Sequence, residues 1–89
     1  MPQVSFTANL RRHRPVPTAE AEGATVREVL DRVLGADPLL KAYILDEQGR
    51  LRRHVNVFVG GRMVADRRGL SDPVGPGDDI HVLQALSGG

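Results

Sequence analysis

The stretch "TVREVLDRVLG" gives this chain one strong amphipathic helix, and that decides what it can fold into. Val26, Val29, Leu30, Val33 and Leu34 recur at helical spacing and gather into a single apolar stripe. Thr25 is placed to cap the start and Glu28 to reach back in a capping box, while Gly35 offers a left-handed stop. Arg27 with Asp31, and Glu28 with Arg32, stand one turn apart on the wet side. A helix this short cannot bury its stripe alone, so a sheet must cover it.

The strands that supply the sheet are legible by their alternation. In "VSFTANL", Val4, Phe6, Ala8 and Leu10 fall on one side and Ser5, Thr7 and Asn9 on the other. A basic, proline-containing turn, "RRHRPVP", leads to "TAEAEG", which reads as a short second strand completing a hairpin. Asp37 and Pro38 open a helical turn in "ADPLLKAYILD"; "AYILD" fits either helix or strand, and a helical turn followed by a strand is the favoured reading. After a turn at "EQGR", Val55, Val57 and Val59 alternate with His54, Asn56 and Phe58, and Gly60 with Gly61 supply the positive backbone angles of a two-residue hairpin turn. "DRRGLSDPVGPGDD" is loop. The last strand, "DIHVLQAL", sets Ile80, Val82, Gln84 and Leu86 against His81, Leu83 and Ala85.

These elements make an α+β unit in which one main helix covers one face of a mixed sheet. With 89 residues there is room for one domain, assigned to residues 1–86, followed by a tail at 87–89. The uncovered face carries Phe58 and Leu83, which read either as ordinary isolated exposed apolar residues or as a docking surface beside several arginines.

Composition narrows the chemistry. Twelve basic and eleven acidic side chains leave a formal charge of +1, which argues against a dedicated nucleic-acid binder. Two Phe, one Tyr and no Trp leave little for base stacking. The absence of Cys removes disulfides, thiolate catalysis and Cys-ligated metals, and fits a reducing compartment. His13, His54 and His81 lack metal-ligand spacing. Asp78 and Asp79 are adjacent at a strand entry, where a turn role outweighs acid/base work. Ser71 and Ser87 have no organised His and Asp partners, and neither "GGR" nor "GPG" has a phosphate-loop context. The start, "MPQVSFTANL", lacks the pattern of a signal peptide, and no apolar run approaches the roughly 20 residues of a membrane span. A soluble, cytoplasmic protein without catalytic residues of its own is expected.

Arginines cluster at Arg11, Arg12 and Arg14, at Arg50, Arg52 and Arg53, and at Arg67 and Arg68. A solvated surface is their plainest reading, and electrostatic docking onto an acidic partner the second. The last residues, "ALSGG", put two glycines where the chain has most to lose by becoming ordered, which suits a tail that moves.

Together, "VNVFVGGRMV", "GLSDPVGPGDDIHVLQAL" and the closing "SGG" resemble the ubiquitin-like sulfur-carrier family, which includes the molybdopterin synthase small subunit, the thiazole-forming carrier and the carrier of a cysteine-forming pathway. The resemblance spans nearly the whole chain and is most specific in its last third. Length and "LRRHVNVFV" look closer to the molybdopterin and cysteine-pathway carriers, whereas Leu86 and Ser87 depart from what relatives often carry.

The resemblance implies a β-grasp fold and a protein co-substrate in place of an enzyme. It implies that an E1-like enzyme, using ATP and magnesium, adenylates Gly89, and that a persulfide or sulfide donor converts it to a thiocarboxylate for a sulfur-accepting synthase. Gly88 and Ser87 would form the tail, and no cofactor would be bound by the carrier itself. Phe58, Leu83 and Leu86, with Arg53 or Arg62 as a rim charge, are the expected partner-binding residues. A lysine-conjugated modifier and a β-grasp interaction module with an incidental tail are the alternatives.

Overall fold

A computed structural model describes residues 1–6 and 18–84. Its strands are β1 (Gln3–Phe6), β2 (Ala19–Glu20), β3 (Val55–Val59), β4 (Arg62–Met63) and β5 (Asp79–Gln84). They form one sheet in the order β2-β1-β5-β3-β4. β1 and β5 run parallel, with Val4 opposite Ile80 and Phe6 opposite Val82, while the other three pairings are antiparallel. This mixed sheet with helices on one side is the β-grasp arrangement, as expected.

The helix α1 (Val26–Leu34) forms where its apolar spacing requires. Val26, Val29, Leu30 and Leu34 are buried against Val4, Val55, Val57, Ile80 and Val82, and Val33 sits at the margin of that core, only partly buried. Thr25 Oγ1 accepts the Glu28 N–H at 3.3 Å. Glu28 does reach back, but its Oε1 accepts from the Ala24 N–H at 2.9 Å and is not turned toward Arg32. Two more first-turn donors are satisfied from outside the helix: Val26 N–H donates to the Asp72 carbonyl and Arg27 N–H to that of Leu70. The loop before β5 therefore serves as part of the helix cap.

Three local expectations are corrected. Gly35 is right-handed, with φ −61° and ψ −26°, so it does not end α1 by a left-handed turn. Its value is spatial, because a Cβ there would lie 2.8 Å from the Asp31 carbonyl oxygen. "AYILD" continues the helix: α2 (Pro38–Ile44) keeps Leu40 and Ile44 buried one turn apart, and only Leu45 makes a single bridge, to Leu51. Asp37 caps α2, accepting the Leu40 N–H, with Pro38 at the first position, where its missing donor costs nothing. In the hairpin turn, Gly60 has φ +64° but Gly61 does not have positive φ, so one glycine supplies the angle assigned to two.

The long loop is tied down by carboxylates. Asp66 accepts from the Arg68, Gly69 and Ser71 N–H groups and from the Ser71 hydroxyl at 2.6 Å. Asp72 accepts from the Ala65 and Asp66 N–H groups, and Asp78 from that of Gly75 at 2.7 Å, a turn role as expected. Ser71 is accordingly a loop residue bound to Asp66. These bonds hold Leu70 at φ +55°, an unusual angle for leucine, with its side chain fully buried.

Candidate functional site

Alternation along β3 and β5 sends Val55, Val57, Val59, Ile80 and Val82 inward, leaving Asn56, Phe58, His81 and Leu83 on the face away from the helices. Phe58 stands opposite His81 and Asn56 opposite Leu83, which places Phe58 and Leu83 diagonally across the β3–β5 ladder. Both are half-buried. Ser5 lies beyond His81 on β1, and Met63 lies beyond Phe58 on β4, so one row reads Ser5, His81, Phe58, Met63. Ser5, Phe6, His81, Val82 and Leu83 line a shallow depression between β1 and β5.

Met63 is 49% exposed and adds apolar area to the surface expected from Phe58 and Leu83. Met63 is not among the partner-binding residues expected from the sequence, although the sequence carries a signal for it. A two-residue turn at Gly60 and Gly61 pairs Val59 with Arg62, and therefore Phe58 with Met63 on the same face.

The two rim arginines are separated. Arg62 pairs with Val59, which pairs with Ile80, near the start of β5. Arg53 precedes Val55, which pairs with Gln84 at the far end of β5. Arg53 is therefore beside the end of β5 and Arg62 is not. Leu86, Ser87, Gly88 and Gly89 lie outside the described residues, as do Ala8, Leu10 and the cluster Arg11, Arg12 and Arg14.

Several other arginines are structural. The Arg27 guanidinium donates to the carbonyls of Gly49, Arg68 and Gly69 and contacts Asp31 at 3.5 Å, joining α1 to two loops. Arg52 Nε donates to the Ala42 carbonyl at 2.6 Å. Arg67 donates to Asn56 Oδ1 at 2.8 Å and to the carbonyls of Arg52 and Val55 at 2.9 and 2.7 Å. A purely solvated surface is thus the wrong description for Arg52 and Arg67. Arg50 pairs with Asp46 at 3.0 Å, and the N–H of Arg50, then that of Gln48, and the Arg50 side chain hold the Asp46 carboxyl below its ordinary range.

Among the described residues, no group of His, Asp or Glu is arranged to hold a metal ion, and no helix is long and apolar enough to cross a membrane. What the described residues offer is one mixed sheet whose face away from the helices is partly apolar, with Phe58, Leu83 and Met63 on it.

Such an arrangement defines a ubiquitin-like carrier or modifier body. The ThiS family model matches residues 4–89. Small archaeal modifier protein 1 of Haloferax volcanii is 33% identical over 66 residues, covering 74% of this chain and 71% of that protein. A chain of the Amycolatopsis orientalis BexX/CysO complex is 36% identical with a TM-score of 0.82, covering 100% of both chains. Mycobacterium tuberculosis CysO is 26% identical with a TM-score of 0.79, covering 97% of this chain and 100% of that one. The chain belongs to the ThiS family of ubiquitin-like sulfur carriers.

Proposed function

We propose that the protein carries sulfur on its C-terminal carboxyl group, as a co-substrate of other enzymes and not as a catalyst. The observation that carries this reading is the family match running to Gly89, so that the last two glycines fall within the region shared with the family. A terminal carboxylate, with a pKa of about 3.3–3.7, is ionised at neutral pH and resists nucleophilic attack. Activation answers that: the Gly89 carboxylate attacks the α-phosphorus of ATP in an E1-like enzyme, magnesium assists, and pyrophosphate leaves. Sulfide then attacks the acyl carbon of the adenylate and AMP departs, leaving a thiocarboxylate. With a persulfide donor, a thiol must also cleave the resulting acyl disulfide.

Glycine at both terminal positions suits this chemistry, because the chain end must enter narrow sites on more than one enzyme without a Cβ against the walls. The sheet face bearing Phe58, Leu83 and Met63 provides recognition apart from the reacting atoms. The final acceptor is a synthase in cofactor or amino-acid biosynthesis, of the molybdopterin or cysteine-forming kind. A cytoplasmic setting fits a chain without cysteine that works with ATP-dependent partners.

The test is intact-mass spectrometry after incubation with a cognate activating enzyme, ATP, magnesium and sulfide. A gain equal to sulfur replacing oxygen, mapped to Gly89, supports the reading; an unchanged mass with an enzyme proven active on a known carrier rejects it. Likeness to small archaeal modifier protein 1 favours a second reading, conjugation to lysines through the same activated carbonyl. Lysine residues bearing a Gly-Gly remnant in cells would reveal that use.

A further inference from the structure

Arg50, Arg53, Arg67 and Arg68, with Asp46 and Leu51, line an open cleft of roughly 410 Å³. Four arginines and one carboxylate residue line it, and that carboxylate is already engaged by Arg50. Arg67 is fixed by an amide oxygen and two carbonyls, which orient it without cancelling its charge. Arg53 and Arg68 are exposed, and among the described residues neither has a carboxylate partner. The cleft thus concentrates arginine side chains in a molecule whose formal charge is only +1.

Position gives the cleft its meaning. Arg67 holds the Val55 carbonyl at 2.7 Å, and Val55 pairs with Gln84, the last residue of β5. Gly89 lies five residues beyond Gln84, so covalent geometry keeps it within roughly 18 Å of that point. A protein that handles the terminus is thus within reach of this cleft.

We propose that the cleft binds an acidic segment, Asp- or Glu-rich, of a partner protein that processes the C-terminus. The shape favours a protein segment over a small metabolite, because small-molecule sites enclose most of their ligand, whereas this cleft is open along its length. Guanidinium forks match carboxylates in two-point geometry, and the exposed Arg53 and Arg68 are the ones with donors to give, beside an Arg67 whose donors are taken up by Asn56, Arg52 and Val55. That the partner processes the terminus rests on the sulfur-carrier reading; the preference for carboxylates does not.

The experiment is a nuclear magnetic resonance titration of the full chain with synthetic hexaglutamate, alongside inorganic phosphate and hexalysine. Hexaglutamate is expected to shift the amides of Arg50, Leu51, Arg53, Arg67 and Arg68, leaving Arg32 and Arg62 still. R53E/R68E, confirmed folded by its spectrum, should weaken that binding by about tenfold or more. Shifts spread equally over Arg32 and Arg62, no shifts at all, or phosphate binding as tightly as the peptide would each overturn the proposal. None of these outcomes depends on thiocarboxylate formation, so this result and the mass test of Gly89 fail separately.

Discussion

Val55 stands directly opposite Gln84 in the antiparallel β3–β5 ladder, and the carbonyl of Val55 accepts from the Arg67 guanidinium at 2.7 Å. The strand that leads to the terminus is therefore held at its end by a neighbour strand that a loop arginine fastens in turn. Removing that arginine leaves the carbonyls of Arg52 and Val55 and the Asn56 amide oxygen without this donor. Arg67→Ala should cost about 2–3 kcal/mol in chemical denaturation. Arg53→Ala, at an exposed position close by, should change stability by no more than about 0.5 kcal/mol.

The loop before β5 should respond to acid. The Ser71 hydroxyl, followed by the N–H groups of Gly69, Ser71 and Arg68, lowers the Asp66 carboxyl from 3.8 to about 2. Asp72 is also lowered, chiefly by the N–H groups of Ala65 and Asp66. A folded-state value below the unfolded one means the stabilisation is fully present above pH 3.8 and is lost as pH falls toward about 2. Thermal midpoints measured across that interval should fall, and Asp66→Asn should make the fall shallower while leaving the part due to Asp72.

The helix stripe and the helix surface should separate cleanly. Leu30 is fully buried beneath the sheet, whereas Leu39 on α2 is 75% exposed. Leu30→Ala is expected to cost about 2–5 kcal/mol, a transfer loss plus a cavity. Leu39→Ala should stay within about 0.5 kcal/mol. Equal losses at the two positions in urea titrations would contradict the assigned packing.

On the bare sheet face, Phe58→Ser should raise the KM of a partner enzyme for the carrier by about tenfold, because a half-buried aromatic anchor is removed from the docking surface. Arg62→Ala should raise it by less than about twofold, since Arg62 lies near the start of β5, at the opposite end of that strand from Gln84. Steady-state kinetics with the protein as varied substrate distinguish them.

Alternation and helical spacing were enough to assign α1, β3 and β5 and to send Val55, Val57, Ile80 and Val82 inward, because burial on one side imposes a strict period. The second helix was harder. Leu40 and Ile44 carry its period over only seven residues, too short a run to outweigh the β-favouring "YIL". Glu28 and Gly35 were recognised as helix-end residues but with other partners and angles, since the sequence does not say that loop 70–74 would reach the helix start. The structural arginines were least legible. Arg27, Arg52 and Arg67 bond to backbone carbonyls distant in sequence, contacts that no local spacing announces.

The most direct measurement is the mass of the C-terminal peptide after the protein has met its activating enzyme, ATP, magnesium and a sulfide source. The account predicts one oxygen exchanged for sulfur on Gly89, and no exchange in a variant lacking Gly89 that keeps the same fold. Sulfur found elsewhere on the chain, or none with an active enzyme present, would contradict it.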